Sequence, residues 1–335
     1  MDRRAFLTLT GSALVALPQA ARATGGLDIA GPAALHHMRV LLASGGFAPP
    51  AAIDAWHFAW NGRTYRGFFE VVALPDGRSG LVNTLPLDAY LYGVVSKEVS
   101  PSWAPGAQQA QAIVARTYAL GKLRPDRPYD VVPSESDQVY GGIEGEAVEG
   151  RAAVDATAGI VLTYAGTPAH VAYSSCCGGR TADAGDVWAT PYAYLTSVAD
   201  PYCPGTPNFE WQAVLPLEAV RKAFGGQLGG IGPLRSVAVD TADPAQRPRG
   251  IAFVGATATV ETTTAQFRTS LGPGVVRSTF GRQASLGGGN VTVAGTGRGH
   301  GVGLCQWGAR VMGERGASAD EIVAFYFPGT SFGRA

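Results

Sequence analysis

Two hydrophobic periods divide the chain. Over 53–82 apolar and polar residues alternate in part, as in Trp56-His57-Phe58-Ala59-Trp60 and Tyr65-Arg66-Gly67-Phe68-Phe69, with turn residues at Asn61-Gly62 and Pro75-Asp76-Gly77. That is the grammar of antiparallel hairpins. Over 86–123 the period lengthens to that of a helix: Leu87, Leu91, Val94 and Val95 share one face, and Pro86 sits where a first turn tolerates proline. A second helix opens near Ser102 and Pro105, with Ala110, Ile113, Val114, Thr117 and Leu120 as its apolar stripe and Arg116 at the margin. Strand-like stretches follow at 158–164, 168–174, 251–260 and 290–294, punctuated by Gly and Pro, and helical stretches close the chain at about 304–314 and 319–325. The pattern predicts an α+β fold, strand-rich with a small helical centre and without an internal repeat.

The first residues follow another rule. Met1-Asp2-Arg3-Arg4-Ala5-Phe6-Leu7-Thr8 leads into an apolar run through Leu17 and then Ala21-Arg22-Ala23, which reads as a signal peptide over 1–23 cleaved near Thr24. Arg3-Arg4 before Phe6-Leu7 resembles the twin-arginine signal, which exports proteins already folded. A membrane anchor is the alternative, but the run is shorter than the ~20 residues a spanning helix needs. A second uncharged window, 156–179, is interrupted by Pro168, His170, paired serines and several glycines. The expectation is a periplasmic or secreted chain with no integral membrane segment after signal removal.

Composition narrows the function classes. Only 16% of the 335 residues are charged, with 26 Lys+Arg against 26 Asp+Glu, so no basic block exists to hold a nucleic-acid backbone. Hydrophobic residues make up 46% beside 46 glycines and 22 prolines, which disfavours disorder, coiled coil and an all-helical bundle. In an oxidising compartment Cys176, Cys177, Cys203 and Cys305 read as up to two disulfides. A bridge between the adjacent pair is strained, so Cys203 and Cys305 are the expected partners of Cys176 and Cys177. The competing reading is a zinc site drawing on these thiols plus His170 or His300, although no compact CxxC spacing supports it. His36, His37 and His57 stand without company and read as surface or structural.

One carboxylate is out of place. Glu98 lies four residues past Val94 and seven past Leu91, on the inward stripe of the first helix. Burial there raises a carboxyl pKa and keeps it protonated, which suits a general acid. The bland alternative is a Glu at a fraying helix end paired with an arginine. Arg116, in an almost uncharged helix, wants an acidic or sugar-hydroxyl partner, and Glu98 is one candidate. His300 stands between Gly299 and Gly301, whose flexible backbone permits close approach to a ligand, and Gln306-Trp307 open a predicted helix where an indole can stack on a sugar ring.

Four blocks, read together, carry a resemblance. The first runs from Leu85 to Leu120 and the second is Gln138-Val139-Tyr140-Gly141-Gly142. The third runs from Tyr173-Ser174-Ser175-Cys176-Cys177-Gly178-Gly179-Arg180-Thr181 through Asp186-Val187-Trp188, Pro191 and Tyr194-Leu195 to Asp200-Pro201-Tyr202. The fourth is Gly299-His300-Gly301-Val302-Gly303-Leu304-Cys305-Gln306-Trp307-Gly308-Ala309, with Pro328-Gly329-Thr330 beyond it. In their order and spacing they resemble the stage II sporulation protein D and amidase-enhancer (SpoIID/LytB) domain family.

The resemblance implies a single SpoIID-like catalytic domain over 85–335, preceded by a strand-rich segment over 24–84. It implies a lytic transglycosylase acting on peptidoglycan strands stripped of stem peptides, monomeric and without cofactor or metal. Glu98 is then the catalytic acid and base, and Arg116, Tyr140, Ser175, Gly178, Gly179, Tyr202, His300, Gln306 and Trp307 bind substrate. Cysteines at 176 and 305, where the family usually has Ser or Thr and often Ser respectively, imply a disulfide of exported relatives. A non-catalytic glycan-binding or amidase-activating protein, with an N-acetylmuramoyl-L-alanine amidase as partner, is the alternative function. A zinc hydrolase using His170, His300 and a thiol ranks last.

Overall fold

The helical centre is built around an alanine-rich helix. A computed structural model describes residues 36–240 and 247–335; the leader expected over 1–23 lies outside the described residues. Helices α1 (Leu87–Glu98) and α2 (Pro105–Lys122) coincide with the two helical periods, and α2 has proline in its first turn. Sequence periodicity predicts one apolar stripe on α2, but the structure buries it nearly all round. Ala107, Ala110, Ile113 and Val114 join one hydrophobic core while Ala112, Ala115 and Ala119 join another. Alanine makes this possible: its small side chain lets neighbours approach from several sides without declaring an apolar face by size. Leu120, expected inside, is only half-buried.

The α1 side of α2 carries α3 (Val148–Ala156) and an antiparallel sheet of His37–Ser44, Ser79–Pro86 and Phe68–Ala73 in that order. Met38, Val40 and Leu85 from this sheet share a core with Tyr90, Leu91 and Val94 of α1, so the chain before residue 85 and the helices after it bury apolar surface jointly. The predicted hairpin forms between His57–Trp60 and Arg63–Arg66. Asn61 and Gly62 both have positive φ, 49° and 73°, as a two-residue hairpin turn with right-handed strand twist requires.

The other side of α2 holds the residues after 157. Ile160–Tyr164 pairs antiparallel with Ser331–Arg334, and the short helix α4 (Ala184–Trp188) lies within the loops between. Next comes a unit with its own core of Trp211, Phe224, Phe253 and Phe267. It contains the three-stranded sheets Glu210–Pro216, Asn290–Thr296, Gly281–Gly287 and Leu234–Asp240, Gly250–Gly255, Thr259–Thr263, with helices α5 (Leu217–Leu228) and α6 (Thr264–Leu271). Neither helix is legible from the pattern. α5 contains Gly225-Gly226 and departs from helical geometry at Phe224, while α6 is eight residues long and rich in Thr, held by a Thr263–Gln266 capping box. The chain then returns through Leu304–Cys305, parallel to Tyr173–Ser174, into α7 (Gln306–Glu314) and α8 (Ala319–Tyr326), which pack on α2. The fold is α+β, as the mixed periods predict, and no helix among the described residues is long and apolar enough to cross a membrane.

Candidate functional site

Glu98 is the last residue of α1. The backbone N–H of Val99 closes the helix on Val95 O, and the Glu98 side chain turns inward, half-buried, toward the start of α7. Oε1 accepts a hydrogen bond from the Val139 N–H at 3.2 Å, and Oε2 faces the Gln306 side-chain amide at 3.5 Å. The Tyr173 hydroxyl is near enough to the same carboxyl to favour its charged form. Burial raises the Glu98 pKa above its usual 4.5; Val139, Tyr173 and Gln306 act the other way without cancelling it.

The partners of Glu98 are themselves held. Tyr90 donates to Gln138 Oε1 at 3.2 Å, and the Gln138 amide donates to the Tyr173 hydroxyl at 3.1 Å, so the Tyr173 oxygen is held as an acceptor by Gln138. Gln306 also donates to Gln111 Oε1 at 3.4 Å, and the Gln111 amide nitrogen is buried with no protein partner. Parallel pairing of Leu304–Cys305 with Tyr173–Ser174 brings Tyr173 and Gln306 together from distant parts of the chain. His300 accepts from the Val302 N–H on Nδ1 at 3.0 Å and tilts against Trp188 at 5.0 Å. Burial, with Arg268 nearby, pushes its pKa down to about 4, so the imidazole is neutral at ordinary pH.

The expected site residues divide. Gln306 meets Glu98. Trp307 follows it and tilts against Trp103 at 5.5 Å, with Arg310 over its ring at 4.8 Å. Ser175, far away along the chain, meets Trp307 in space: its carbonyl accepts from the Trp307 N–H and its hydroxyl from Asn208. Tyr202 packs edge-on against Phe325 at 5.4 Å. Gly178 and Gly179 form a turn over the cysteines: Gly178 has φ +81°, and a Cβ there would stand 2.7 Å from Thr296 O. Gly178→Ala is therefore expected to destabilise the fold by about 1–3 kcal/mol through backbone strain and the clash, read as a lower midpoint in urea.

Three expectations need correction. Arg116 is not a cleft residue and does not pair with Glu98. Its guanidinium is fully buried, donating to Asp88 at 2.8 Å, to Thr157 Oγ1, and to the carbonyls of Ile160 and Val154. Tyr140 is likewise sealed in the core, its hydroxyl bonded to Asn83 Oδ1 at 3.1 Å and its ring against Tyr90 and Tyr65. The cysteines form no disulfide: all four are free and buried, with the Cys177 and Cys203 sulfurs 3.5 Å apart. Neither His170, which stacks on Tyr192, nor His300 belongs to that cluster.

Sequence reasoning left out Gln111, Gln138, Tyr173 and Arg268. The first two carry a signal, an amide on an otherwise apolar stripe and an amide opening the block at 138, and Tyr173 opens the third block. Arg268 carries none: it comes from α6, and its Nε is buried without a hydrogen-bond partner.

Residues 76–164 match the family model described as SpoIID, stage II sporulation protein. An uncharacterized protein of Brachyspira hyodysenteriae is 31% identical over 275 residues, spanning 81% of this chain and 73% of the relative. The chain belongs to the SpoIID family. Stage II sporulation protein D of Bacillus subtilis is 28% identical, covering 76% of each chain. The amidase enhancer of the same organism is 27% identical over 72% of this chain, which spans only 40% of that longer protein. The SpoIID match takes in Glu98, Gln111 and Gln138, whereas Tyr173, His300 and Gln306 lie beyond the matched segment.

Proposed function

We propose that the chain is a peptidoglycan lytic transglycosylase that cleaves glycan strands stripped of their stem peptides, outside the cytoplasmic membrane, in cell-wall remodelling. The observation that carries this reading is the Glu98 carboxyl, half-buried, raised in pKa and hydrogen-bonded by neutral groups. A conventional glycosidase places a second carboxyl across the scissile bond. A transglycosylase works with one. Glu98 gives its proton to the glycosidic oxygen as the bond from C1 breaks. Its carboxylate then takes the proton of the C6 hydroxyl on the same sugar as that oxygen bonds to C1. The products are a 1,6-anhydro end and a free hydroxyl on the departing sugar; no water enters, and Glu98 is protonated again. The Trp103–Trp307 pair offers an apolar wall beside Gln306.

The name of the amidase-enhancer relative favours a second reading, a glycan-binding protein that activates an amidase. Incubating the protein with intact and amidase-stripped peptidoglycan, then identifying soluble products by mass spectrometry, separates the two. Anhydro ends support the transglycosylase; retained glycan binding without products supports the activator. Ordinary reducing ends would instead point to hydrolysis assisted by Glu135, an exposed carboxylate close enough to raise the Glu98 pKa further.

The pH profile follows from the same geometry. The acid must be protonated for the first step, so kcat/KM is expected to fall as pH rises through the Glu98 pKa, above the usual 4.5. Tyr173→Phe removes a neighbouring hydroxyl that favours the carboxylate, and the falling limb should move to higher pH. A limb at the same pH in both proteins would remove Tyr173 from the site. His300 is not expected to contribute a limb near neutrality, its pKa standing at about 4.

A further inference from the structure

The reaction proposed above uses none of the cysteines, yet they are the most tightly gathered chemically reactive groups in the described chain. The sulfurs of Cys177, Cys203 and Cys305 and a carboxylate oxygen of Asp200 all lie within 4.8 Å of one another, and all four residues are buried. Cys177 Sγ is 3.5 Å from Cys203 Sγ and 3.1 Å from Asp200 Oδ2. Ligands about 2.3 Å from a tetrahedral zinc ion stand about 3.8 Å apart. We infer that Cys177, Cys203, Cys305 and Asp200 form a structural zinc site.

The surroundings suit thiolates. Cys305 Sγ accepts from the N–H groups of Cys177 at 3.2 Å and Gly308 at 3.4 Å, and Cys203 Sγ accepts from the Gly179 N–H at 3.2 Å. Cys305 is also the N-cap of α7, where the helix dipole favours negative charge. Asp200 is oriented by the N–H of Tyr202 on Oδ1 at 2.9 Å and the Tyr326 hydroxyl on Oδ2 at 3.0 Å, the outer bonds that fix a metal ligand. On binding, three thiols release protons to solvent and Asp200 enters as the carboxylate, so the site carries two net negative charges. The Arg247 guanidinium, donating to the carbonyl oxygens of Cys177 and Arg180, sets a cation beside it.

Donor chemistry and space select the ion. Buried thiolates in a closed tetrahedron suit zinc. An iron–sulfur cluster needs its cysteine sulfurs farther apart than the edge of a single ion's coordination shell. Cys176 is buried beside the group but is not one of the four donors that meet mutually. The site ties three chain segments together and fixes the start of α7, whose first residue, Gln306, faces Glu98. The twin-arginine-like leader expected from the sequence would export the chain folded, with its thiols already held by the ion.

The test is metal and thiol analysis of the exported protein purified without chelator. About one zinc per chain is expected, with all four cysteines alkylated under denaturing conditions without reductant once a chelator is added. Replacing the ion with cobalt(II) should give the thiolate charge-transfer and strong d–d absorption of a tetrahedral site. Cys203→Ser should lose the ion and Cys176→Ser should keep it; the wild-type analysis stands if the first variant does not fold. Cysteines that resist alkylation until reduced, with no metal present, would overturn the site in favour of disulfides. Iron in place of zinc, or zinc lost from Cys176→Ser but kept in Asp200→Asn, would overturn the assignment as well.

Discussion

Glu98→Gln is expected to slow the release of anhydro-ended products from amidase-stripped glycan by about 10²–10⁴-fold, the usual worth of a positioned acid–base group. Glutamine keeps the shape of the side chain and an oxygen for the Val139 N–H, so glycan binding should persist. Stability should move the other way. Folding raises the Glu98 pKa above its usual 4.5, so the folded state binds this proton more tightly than the unfolded state. The contribution is therefore fully present below the unfolded pKa and is lost as pH rises through the folded one. At pH 7 the wild type buries a charge that glutamine lacks, and the variant should melt at the same or a higher temperature. Below the unfolded pKa the difference should close. A variant that melts lower at neutral pH and also fails to bind glycan would mean that Glu98 holds the fold together.

Arg116→Ala carries the largest expected effect on stability. Each buried acceptor left without its donor costs about 1–3 kcal/mol, and the cavity adds to that. Here the carbonyls of Val154 and Ile160 and the hydroxyl of Thr157 lose their donor along with Asp88. Asp88 itself keeps 37% of its side chain in water, so most of the loss comes from the deserted interior around the C-terminal end of α3 and from the cavity left behind. The urea midpoint reports it. Product formation per folded molecule should stay near wild type, because none of these partners is Glu98. Wild-type stability with weakened glycan binding would return Arg116 to the cleft.

Local order was legible because it is written in short-range pattern. The period over 87–98 places Glu98 on the buried side of α1, and the structure leaves it half-buried at the helix end, so the inward-stripe reading and the helix-end reading each hold one half of the answer. Asn61-Gly62 specifies its turn through two positive φ values, and the helices at the C-terminus follow their apolar spacing. Arg116 was misread for a physical reason. A lone charge in an uncharged helix marks a place where charge is wanted, but the partner comes from whatever tertiary packing brings near, and that is Asp88 rather than Glu98.

By itself the sequence determined the mixed α+β class, the two central helices, the family blocks and the single anomalous carboxylate. Only tertiary structure decided which groups surround it. Tyr173 and Gln306 reach Glu98 because two short strands from different blocks pair in parallel, and Cys177, Cys203 and Cys305 meet Asp200 because a glycine turn and the start of α7 face one another across the core. Periodicity records which side of an element is buried. It does not record what lies opposite, because that depends on long-range packing whose partners are far apart along the chain.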